Sequence, residues 1–279
     1  MLTCNNTAAV VVLYNPTGHV LANVASYRDH VGMLYVVDNS DQHGASVIAE
    51  LQTGNNVVCI QNHGNLGIAS ALNRAAEQAL DQGFGYLLTM DQDSRALHGM
   101  VEMLAACHGP GVALVAPFLL TRYGQTPPAG KACRQVQVAM TSGSLLDLRS
   151  YRQVGPFRDD FFIDFVDIEY CLRLRRHGYQ VFQADGAQLE HHVGKLIGPG
   201  WFSVTTHSPL RKYYKTRNRF QVWREYERDF PDYVWRDRAR FLLELARLLL
   251  CEPEKKAKLR MMWRGYRDYR RGRFGKYEG

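Results

Sequence analysis

The sequence predicts an α/β fold: a mostly parallel sheet flanked by helices, followed by a basic helical C-terminal region. Three observations support this. Apolar runs alternate with amphipathic stretches over the first 120 residues, polar residues follow the apolar runs, and positive charge is concentrated toward the C-terminal end. Of the 279 residues, 46% are apolar and 22% are charged, which excludes a disordered chain, a collagen and a coiled-coil rod.

The early apolar runs are continuous and rich in β-branched residues, as expected of strands buried on both faces. We predict strands at 8–14, 33–37, 57–60 and 86–90, and helices between them at 20–30, 45–52 and 68–82. The middle of the chain is predicted to form strands at 136–140, 144–148 and 179–182, with an acidic, then helical, segment at 161–177. The later helices are expected from about 205 onward, including one at about 254–271. One of them carries an apolar stripe at Val234, Phe241, Leu242, Leu245, Leu248 and Leu249.

Charge divides the chain near residue 205. Residues 1–200 hold 13 basic and 17 acidic side chains, whereas residues 201–279 hold 21 basic and 10 acidic ones. We therefore predict a first domain at 1–205 and a basic helical region at 206–279. A net charge of +11 in the second part favours an anionic partner, such as a membrane surface, a nucleic acid or a phosphorylated substrate.

The sequence predicts a cytoplasmic protein without a membrane-spanning helix. The longest apolar candidate, 241–250, is interrupted by Glu244 and Arg247, and no basic residue precedes the apolar stretch at 8–13 as it would in a signal peptide. The six cysteines are irregularly spaced and form no CxxC pair. We therefore expect six buried free thiols in a reducing compartment.

Polar side chains follow several of the predicted strands at the point where each strand ends. Asn15, Asp38 and Asp91 occupy three of these positions. In parallel α/β sheets, ligands bind beyond the carboxyl ends of the strands. The Asp91-Gln92-Asp93 turn also carries two carboxylates that can face a hard divalent cation and its phosphate ligands. The sequence therefore predicts a binding site at this edge of the sheet.

Three acids stand among large apolar residues in the segment 161–173. A carboxylate in such surroundings tends to have a raised pKa, which suits general-base catalysis. An acid at the N-terminus of a helix can instead complement the helix dipole. We favour that role for Glu169, and both interpretations stay open for Asp164 and Asp167.

Two further segments each allow a structural and a ligand-binding interpretation. The paired His191 and His192 are either ordinary surface or core residues, or one of them supplies a nitrogen ligand to a metal at the Asp-x-Asp turn. The basic and aromatic segment 211–219 is either a solvated helix face or a clamp for a diphosphate, because arginine donors match phosphate oxygens well.

Taken together and in this order, these residues resemble family 2 of the inverting glycosyltransferases of the GT-A type, and most closely its bacterial rhamnosyltransferases. The resemblance spans roughly 8–220 and rests on the segments 11–16, 37–40, 62–73, 91–94, 141–144, 161–173, 189–194 and 211–218. It implies a GT-A-like sheet with Mn2+ or Mg2+ as cofactor. The implied reaction moves a sugar, most directly L-rhamnose from dTDP-rhamnose, to a glycan or lipid-linked acceptor in bacterial cell-surface polysaccharide synthesis.

The resemblance also implies roles for individual residues. The implied catalytic base is Asp167, with Asp164 as a rival because this chain has Val166 where many relatives have Glu. The implied donor-binding residues are Tyr14, Asn15, Asp38, Gly67, Asn73, Asp91, Arg211, Tyr214 and Arg217. The implied metal ligands are Asp93 and His191, with His192 as the alternative one residue away. The implied acceptor-side residues are Ser142, Gly143 and Phe162.

Other functions are less favoured by the sequence. A UDP-hexose donor would keep the fold and the mechanism. A nucleotidyltransferase normally has a Gly-rich basic signature after the first strand, and no Lys or Arg follows closely on Asn15. The basic region is either an ordinary helical subdomain that packs on the core and solvates its arginines, or a helix pair that lies on an anionic membrane surface. It could also stack on nucleic acid, but no recognised nucleic-acid motif is present, so we expect no nucleic acid as its partner. Neither phosphate-binding glycine motif of NAD or ATP enzymes occurs.

Overall fold

Strands and helices alternate along the chain in the computed structural model, which describes residues 3–41, 45–120, 132–191, 196–197, 204–205 and 207–279. The strands are β1 Thr7–Leu13, β2 Met33–Asp38, β3 Val57–Gln61, β4 Tyr86–Asp91, β5 Ser94–Ala96, β6 Val112–Leu120, β7 Cys133–Gln135, β8 Ser144–Asp147, β9 Gln180–His191, β10 Leu196–Ile197 and β11 Val204–Thr205. The helices are α1 His19–Ala25, α2 Ala45–Leu51, α3 Ile68–Asp81, α4 Met100–Ala106, α5 Leu148–Val154, α6 Val166–Arg176, α7 Pro209–Tyr226, α8 Pro231–Cys251 and α9 Lys255–Arg270.

The first nine strands form one sheet in the order β3-β2-β1-β4-β8-β6-β9-β5, with β7 beside β9. Strands β1 to β4 pair in parallel, as the alternation of strands and helices predicts. Beyond β4 the sheet is mixed, because β8 runs antiparallel to both β4 and β6. The carboxyl ends of β1, β2 and β4 consequently lie at one edge of the sheet.

The core lies on both faces of this sheet. Every residue of β1 is buried, and alternate side chains enter opposite clusters. Val10 belongs to the cluster covered by α3, α5, α6 and α7, whereas Val11 belongs to the cluster covered by α1, α2 and α4. Burial on both faces explains why the sequence of β1 is a continuous apolar run rather than an alternating one.

Helix α7 is part of the body of the fold. Val222 and Trp223 join the same core cluster as α3, and α9 packs closely along α7. The predicted boundary between a first domain at 1–205 and a basic region at 206–279 stays a prediction, and residue 206 lies outside the described residues. Over the described ranges, no helix combines the length and the apolar character needed to cross a bilayer.

One sequence prediction of local structure is wrong, and another is confirmed but too short. The strand expected at 136–140 is displaced, since β7 ends at Gln135 and the Val136 N–H makes a single bond to the Val181 carbonyl. Apolar side chains in this segment pack on the core without a regular ladder. Conversely, β9 extends far beyond the expected 179–182 because β6, β7 and β5 all pair with it.

The expectation of six buried free thiols is also wrong. Cys107 and Cys133 form a disulfide between the end of α4 and β7. Cys4 and Cys251 are free but exposed, and only Cys171 is a fully buried free thiol among the described residues. Sequence spacing gave no signal for the disulfide, because its partners are brought together by the pairing of β7 with β9.

Gly265→Ala is expected to lower the stability of the protein, although Ala in a helix interior is usually favoured over Gly by about 1 kcal/mol. The added methyl group would lie 2.4 Å from the Tyr213 carbonyl oxygen, and a helix backbone cannot yield cheaply there. We expect a net loss of about 1–3 kcal/mol in urea unfolding. Gly109→Ala is the control, because its Cβ would meet no atom within 4 Å; equal losses in both variants would contradict the close packing of α9 on α7.

Candidate active site

The ends of β1 and β2 meet in a hydrogen-bonded corner. The Asn15 N–H donates to Ser40 Oγ at 2.8 Å, which fixes the turn after β1. The Tyr14 hydroxyl donates to Asp41 Oδ2 at 3.1 Å, while the ring remains 44% exposed. Asp38 is buried, and its Oδ1 accepts from the Ser40 N–H at 3.0 Å. Three predicted donor-binding residues therefore lie together, with an exposed aromatic ring at the surface.

Asn39 ties this corner to the loop that precedes α3. Its Oδ1 accepts from Asn62 Nδ2 and from the Leu66 N–H, each at 3.0 Å. Its Nδ2 donates to Asn65 Oδ1 and to the Gly67 carbonyl, each at 3.2 Å. The sequence analysis did not assign Asn39 a role. The available signal was the run of asparagines at two neighbouring strand ends.

Gly67 and Asn73 hold other segments against α3. Gly67 has a φ of 89°, and a Cβ there would lie 2.5 Å from the Phe162 carbonyl oxygen, so only glycine admits this crossing. The Asn73 amide donates to the Phe157 carbonyl and accepts from the Phe157 N–H, both at 2.8 Å. Both residues thus position neighbouring loops, and their direct contact with a donor stays a prediction.

The Asp-x-Asp turn lies between β4 and β5. Asp91 ends β4, Asp93 is exposed, and Ser94 pairs with His191 across the antiparallel ladder of β5 and β9. This register brings the backbone of His191 beside the turn; its side chain and all of His192 lie outside the described residues. Among the side chains that are described, no three His, Cys, Asp or Glu residues converge on one point. Two carboxylates, completed by phosphate oxygens and water, nevertheless form a donor set that suits Mg2+.

The predicted acceptor-side turn at 142–143 lies behind the Asp-x-Asp turn. Ser142 Oγ is 2.8 Å from Ser94 Oγ, and Ser142 is buried. Gly143 has a φ of 74°, its N–H donates to the Thr89 carbonyl at 2.7 Å, and a Cβ would lie 2.7 Å from the Pro117 ring. Gly143 is therefore required by packing, and acceptor contact at this turn stays a prediction.

The acidic segment enters α6 through a strained backbone. Phe162, Asp164 and Phe165 have φ values of 65°, 64° and 66°, which non-glycine residues rarely adopt. Each such residue costs on the order of 1–3 kcal/mol, and the conformation persists only where contacts with the surrounding structure offset that cost. Strain at this point sets the direction in which Asp164 and the first turn of α6 project.

Asn218 on α7 supplies the contacts that fix this backbone. Its side chain is fully buried. The Nδ2 group donates to the carbonyl oxygens of Phe161 and Ile163 at 3.0 and 2.9 Å. It also lies 2.8 Å from the Asp164 carbonyl oxygen. One amide therefore satisfies carbonyls that the strained turn directs away from any helix or strand.

Arg217 is buried beside Asn218, at 1% exposure. Its Nη1 donates to the Gly275 carbonyl at 2.7 Å, and its Nη2 donates to the carbonyls of Asp160 and Phe161 at 3.2 and 3.0 Å. Its Nε donates to Asn218 Oδ1 at 3.0 Å. Because these donors are engaged inside the protein, the structure does not bring Arg217 to the strand-end edge as a free cation for a diphosphate.

Tyr214 and Phe162 are packing partners of each other. Their rings stack with centroids 5.1 Å apart, and both residues are buried. The Tyr214 hydroxyl accepts from the Tyr277 N–H at 2.7 Å. Neither residue presents a free polar group to the strand-end edge, so the donor role of Tyr214 and the acceptor role of Phe162 stay predictions.

Arg211 and Asp164 form a two-bond ion pair. Arg211 Nη2 donates to Oδ1 at 2.6 Å and Arg211 Nε donates to Oδ2 at 3.2 Å. The arginine side chain is 43% exposed, whereas the carboxylate is 9% exposed. Bidentate, charge-assisted bonds of this type are strong and orient both groups. Asp164 therefore has both carboxylate oxygens engaged, and Arg211 is held at the rim of the site.

Asp167 stands in the first turn of α6. Burial, together with the nearby carboxylates of Asp164 and Asp91, raises its pKa to about 6. Its Oδ1 accepts from the Ile168 N–H at 2.8 Å. The mutual influence of these acids shows that the end of β4 and the start of α6 share one electrostatic environment. A carboxylate with this pKa is ionised at neutral pH and can still take up a proton.

Glu169 behaves differently from its neighbours in the segment. It is buried, accepts from the Tyr226 hydroxyl at 2.8 Å and pairs with Arg173 at 3.0 Å. These contacts join α6 to α7 inside the core. They give Glu169 a structural role, although through buried pairing rather than through the helix dipole alone.

Lys215 is a cation that the sequence analysis missed. It lies one turn after Arg211 on α7, is partly buried, and makes no hydrogen bond or ion pair with the described residues. Burial, followed by the positive charges of Lys215 and Arg211, lowers the pKa of His207 to about 4. The site therefore has a positive patch next to its acids. The i, i+4 spacing from Arg211 was the signal that could have identified Lys215.

Comparisons with known proteins agree with this architecture. A dTDP-rhamnosyl transferase, RfbF of Shigella flexneri, is 26% identical over 249 residues, covering 79% of this chain and 81% of that protein. The crystal structure of GalNAc-T7 with UDP, GalNAc and Mn2+ superposes with a TM-score of 0.63 at 13% identity, covering 85% of this chain and 51% of that one. S. aureus TarS superposes with a TM-score of 0.53 at 14% identity, covering 94% and 43%.

This chain spans about half the length of those two solved structures, and at such identities the likeness shows the fold alone. It confirms the predicted α/β, GT-A-like fold. The family model described as Glycosyl transferase family 2 matches residues 9–154, more than half of the chain. The chain therefore belongs to glycosyl transferase family 2.

Proposed function

We propose that this glycosyltransferase moves a sugar from a nucleotide diphosphate donor to a hydroxyl group of a glycan or lipid-linked acceptor, with inversion at the anomeric carbon. The observation that carries the proposal is the grouping of Asp91, Asp164, Asp167 and Arg211 in one electrostatic environment beyond the strand ends. Similarity to a dTDP-rhamnosyl transferase supports dTDP-rhamnose as the donor and cell-surface polysaccharide synthesis as the setting.

The corner at the ends of β1 and β2 would hold the nucleoside. Tyr14 offers an exposed ring for stacking, and Asn15 and Asp38 lie beside it. Arg211 and Lys215 would hold the diphosphate, since Arg211 is held at the rim of the site and Lys215, one helical turn later, has Asp164 among its charged neighbours. Lys215 takes the place that the sequence analysis gave to Arg217, whose donors are engaged elsewhere.

The Asp-x-Asp turn would hold Mn2+ or Mg2+. The exposure of Asp93 supports it as an oxygen ligand, and Asp91 at the end of β4 would contact the ribose or water bound to the metal. His191 would add a nitrogen ligand from the neighbouring strand. A divalent cation supplies positive charge that stabilises the departing nucleoside diphosphate.

Asp167 is the proposed general base. Its carboxylate takes the proton of the acceptor hydroxyl as that oxygen forms a bond to the anomeric carbon. The bond from that carbon to the diphosphate oxygen breaks, and its electron pair leaves with the diphosphate. Asp164 is the weaker candidate because both of its oxygens are engaged by Arg211. A single displacement from the opposite face inverts the configuration.

The donor and the metal are tested by thermal stabilisation. A ligand that binds only the native state raises the melting temperature. We expect the largest shift with dTDP-rhamnose plus Mn2+ or Mg2+, and its loss in Asp93→Ala. Asp29→Ala is the matched control, because its carboxylate is exposed near the opposite ends of the strands. A larger shift with UDP-hexoses would reject rhamnose, and no shift with any nucleotide sugar would reject the proposal.

The base assignment is tested by the pH dependence of turnover. A base with a pKa of about 6 must be deprotonated to act, so kcat/KM should fall as pH decreases through about 6. Asp167→Asn should bind donor normally and lose roughly 100- to 10,000-fold in turnover. Full activity in Asp167→Asn, combined with loss in Asp164→Asn, would transfer the role to Asp164.

The same variant should gain stability while it loses activity. The folded-state pKa of Asp167 is raised from 3.8 to about 6, so folding disfavours the charged form and stability from this group falls as pH rises through that window. Above pH 6, Asp167→Asn should therefore be more stable than the parent by up to about 3 kcal/mol. Below pH 3.8 the difference should disappear. Equal melting temperatures at pH 8 would contradict the raised pKa.

The bracing of the acidic segment by Asn218 is tested by Asn218→Ala. Removing the amide leaves carbonyls of a strained turn unsatisfied, at a cost of about 1–3 kcal/mol. We expect kcat to fall by roughly tenfold or more while the donor dissociation constant stays close to that of the parent. Thr216→Ala is the control, since it removes one buried bond within α7 and leaves the acidic segment untouched. Equal effects of both substitutions on kcat would reduce Asn218 to a general stabiliser of α7.

A further inference from the structure

The outer face of α8 exposes five large apolar side chains, Trp235, Leu242, Leu243, Leu249 and Leu250. Their exposed fractions run from 48% to 78%, whereas Val234 and Leu248 on the inner side of the same helix are fully buried. The sequence analysis placed Leu242 and Leu249 in one stripe with the buried residues. The structure instead divides the apolar residues of α8 between the core and this outer face.

These side chains form a continuous strip along the helix. Trp235, Leu242 and Leu249 recur every seven residues, which is nearly two turns, so they lie almost in a line. Leu243 and Leu250 repeat the same spacing on the adjacent line. A strip of this kind is an organised apolar surface rather than scattered exposed residues.

Three arginines flank the strip on one side. Arg236, Arg240 and Arg247 are exposed, and at 100° per residue they fall beside the line of Leu243 and Leu250. None of the three forms an ion pair with a described residue, in contrast to Arg238, which pairs with Glu227 at 2.8 Å. The flank therefore carries uncompensated positive charge.

Helix α9 repeats the same chemistry on its own surface. Trp263 is 64% exposed, and Lys255 and Lys256 are exposed in the first turn. Tryptophan prefers the boundary between hydrocarbon and water, and lysine or arginine side chains can reach anionic headgroups from there. The two helices thus present apolar side chains bordered by cations.

We propose that the outer face of α8 docks on the surface of an anionic lipid bilayer. The leucines and Trp235 enter the boundary of the acyl chains while Arg236, Arg240 and Arg247 contact lipid phosphates. The inference goes beyond the proposed function and does not depend on it, because the docking concerns the outer surface of α8 and needs no turnover.

Charge complementarity favours a bilayer over a second copy of the chain. Two copies joined through this face would bring three arginines of each copy into one interface against one exposed acid per copy, Asp232 in the first turn of α8, which leaves a net repulsion. An anionic bilayer offers phosphates to the arginines and hydrocarbon to the leucines at the same time. Both halves of the surface are then satisfied by one partner.

The test is co-sedimentation of the full chain with vesicles. Phosphatidylcholine vesicles are compared with vesicles that also contain phosphatidylglycerol. We expect binding to the anionic vesicles and little binding to the neutral ones. Arg240→Gln combined with Arg247→Gln should weaken binding roughly thirtyfold, since each cation near an anionic surface contributes about fivefold. Leu242→Ser combined with Leu250→Ser should weaken it by at least about tenfold.

The control removes two equally exposed arginines elsewhere. Arg149→Gln combined with Arg152→Gln on α5 changes the net charge by the same amount and should leave binding within about twofold of the parent. An equal loss in this control would reduce the effect to net charge and overturn the proposed face. Because the substituted side chains are exposed, circular dichroism should show that all variants fold.

Two other outcomes overturn the proposal. Absence of binding to anionic vesicles rejects it, whether or not the enzyme binds a nucleotide sugar. A dimer in light scattering that Leu242→Ser with Leu250→Ser dissociates, without vesicle binding by the parent, would assign the face to a second copy of the chain.

Discussion

The contact on which the site most depends is the buried amide of Asn218 against the carbonyls of the acidic turn. Phe162, Asp164 and Phe165 adopt left-handed backbone conformations that are unfavourable in isolation. The amide of Asn218 and the guanidinium of Arg217 stabilise this backbone, because they donate hydrogen bonds to its carbonyl oxygens. Contacts from α7 therefore set the orientation of Asp164 and Asp167. The sheet sets the position of the end of β4, whose Asp91 lies near Asp167.

The sequence predicted what depends on local pattern and missed what depends on distant contacts. Strands β1, β2 and β4 were predicted closely, because their residues are buried on both faces and form unbroken apolar runs. The polar edge beyond them followed from parallel pairing. Arg217 could not be placed, since an arginine in a basic helix looks the same whether it faces a ligand or a carbonyl 58 residues away at Gly275.

Acidic and basic side chains lie side by side in the candidate site, and the proposed diphosphate would balance the basic ones. Asp91 and Asp167 lie close enough to raise the pKa of the latter, and a neighbouring patch carries Arg211 and Lys215. Adjacent negative and positive groups are complementary to the metal diphosphate of the proposed donor. Burial, reinforced by the nearby carboxylates of Asp164 and Asp91, leaves Asp167 with a raised pKa in the same arrangement.

The segment after α9 has a consequence for the order of events during synthesis. The Gly275 N–H donates to the Asp160 carbonyl, and the Gly275 carbonyl accepts from Arg217, so the acidic turn is anchored by residues about 115 positions later. At translation rates of roughly 5–20 residues per second, this anchor emerges on the order of ten seconds after the turn itself. The corner at the ends of β1 and β2 can therefore form in a nascent chain well before the acidic turn acquires its anchor, so the two parts of the candidate site become ordered at different times during synthesis.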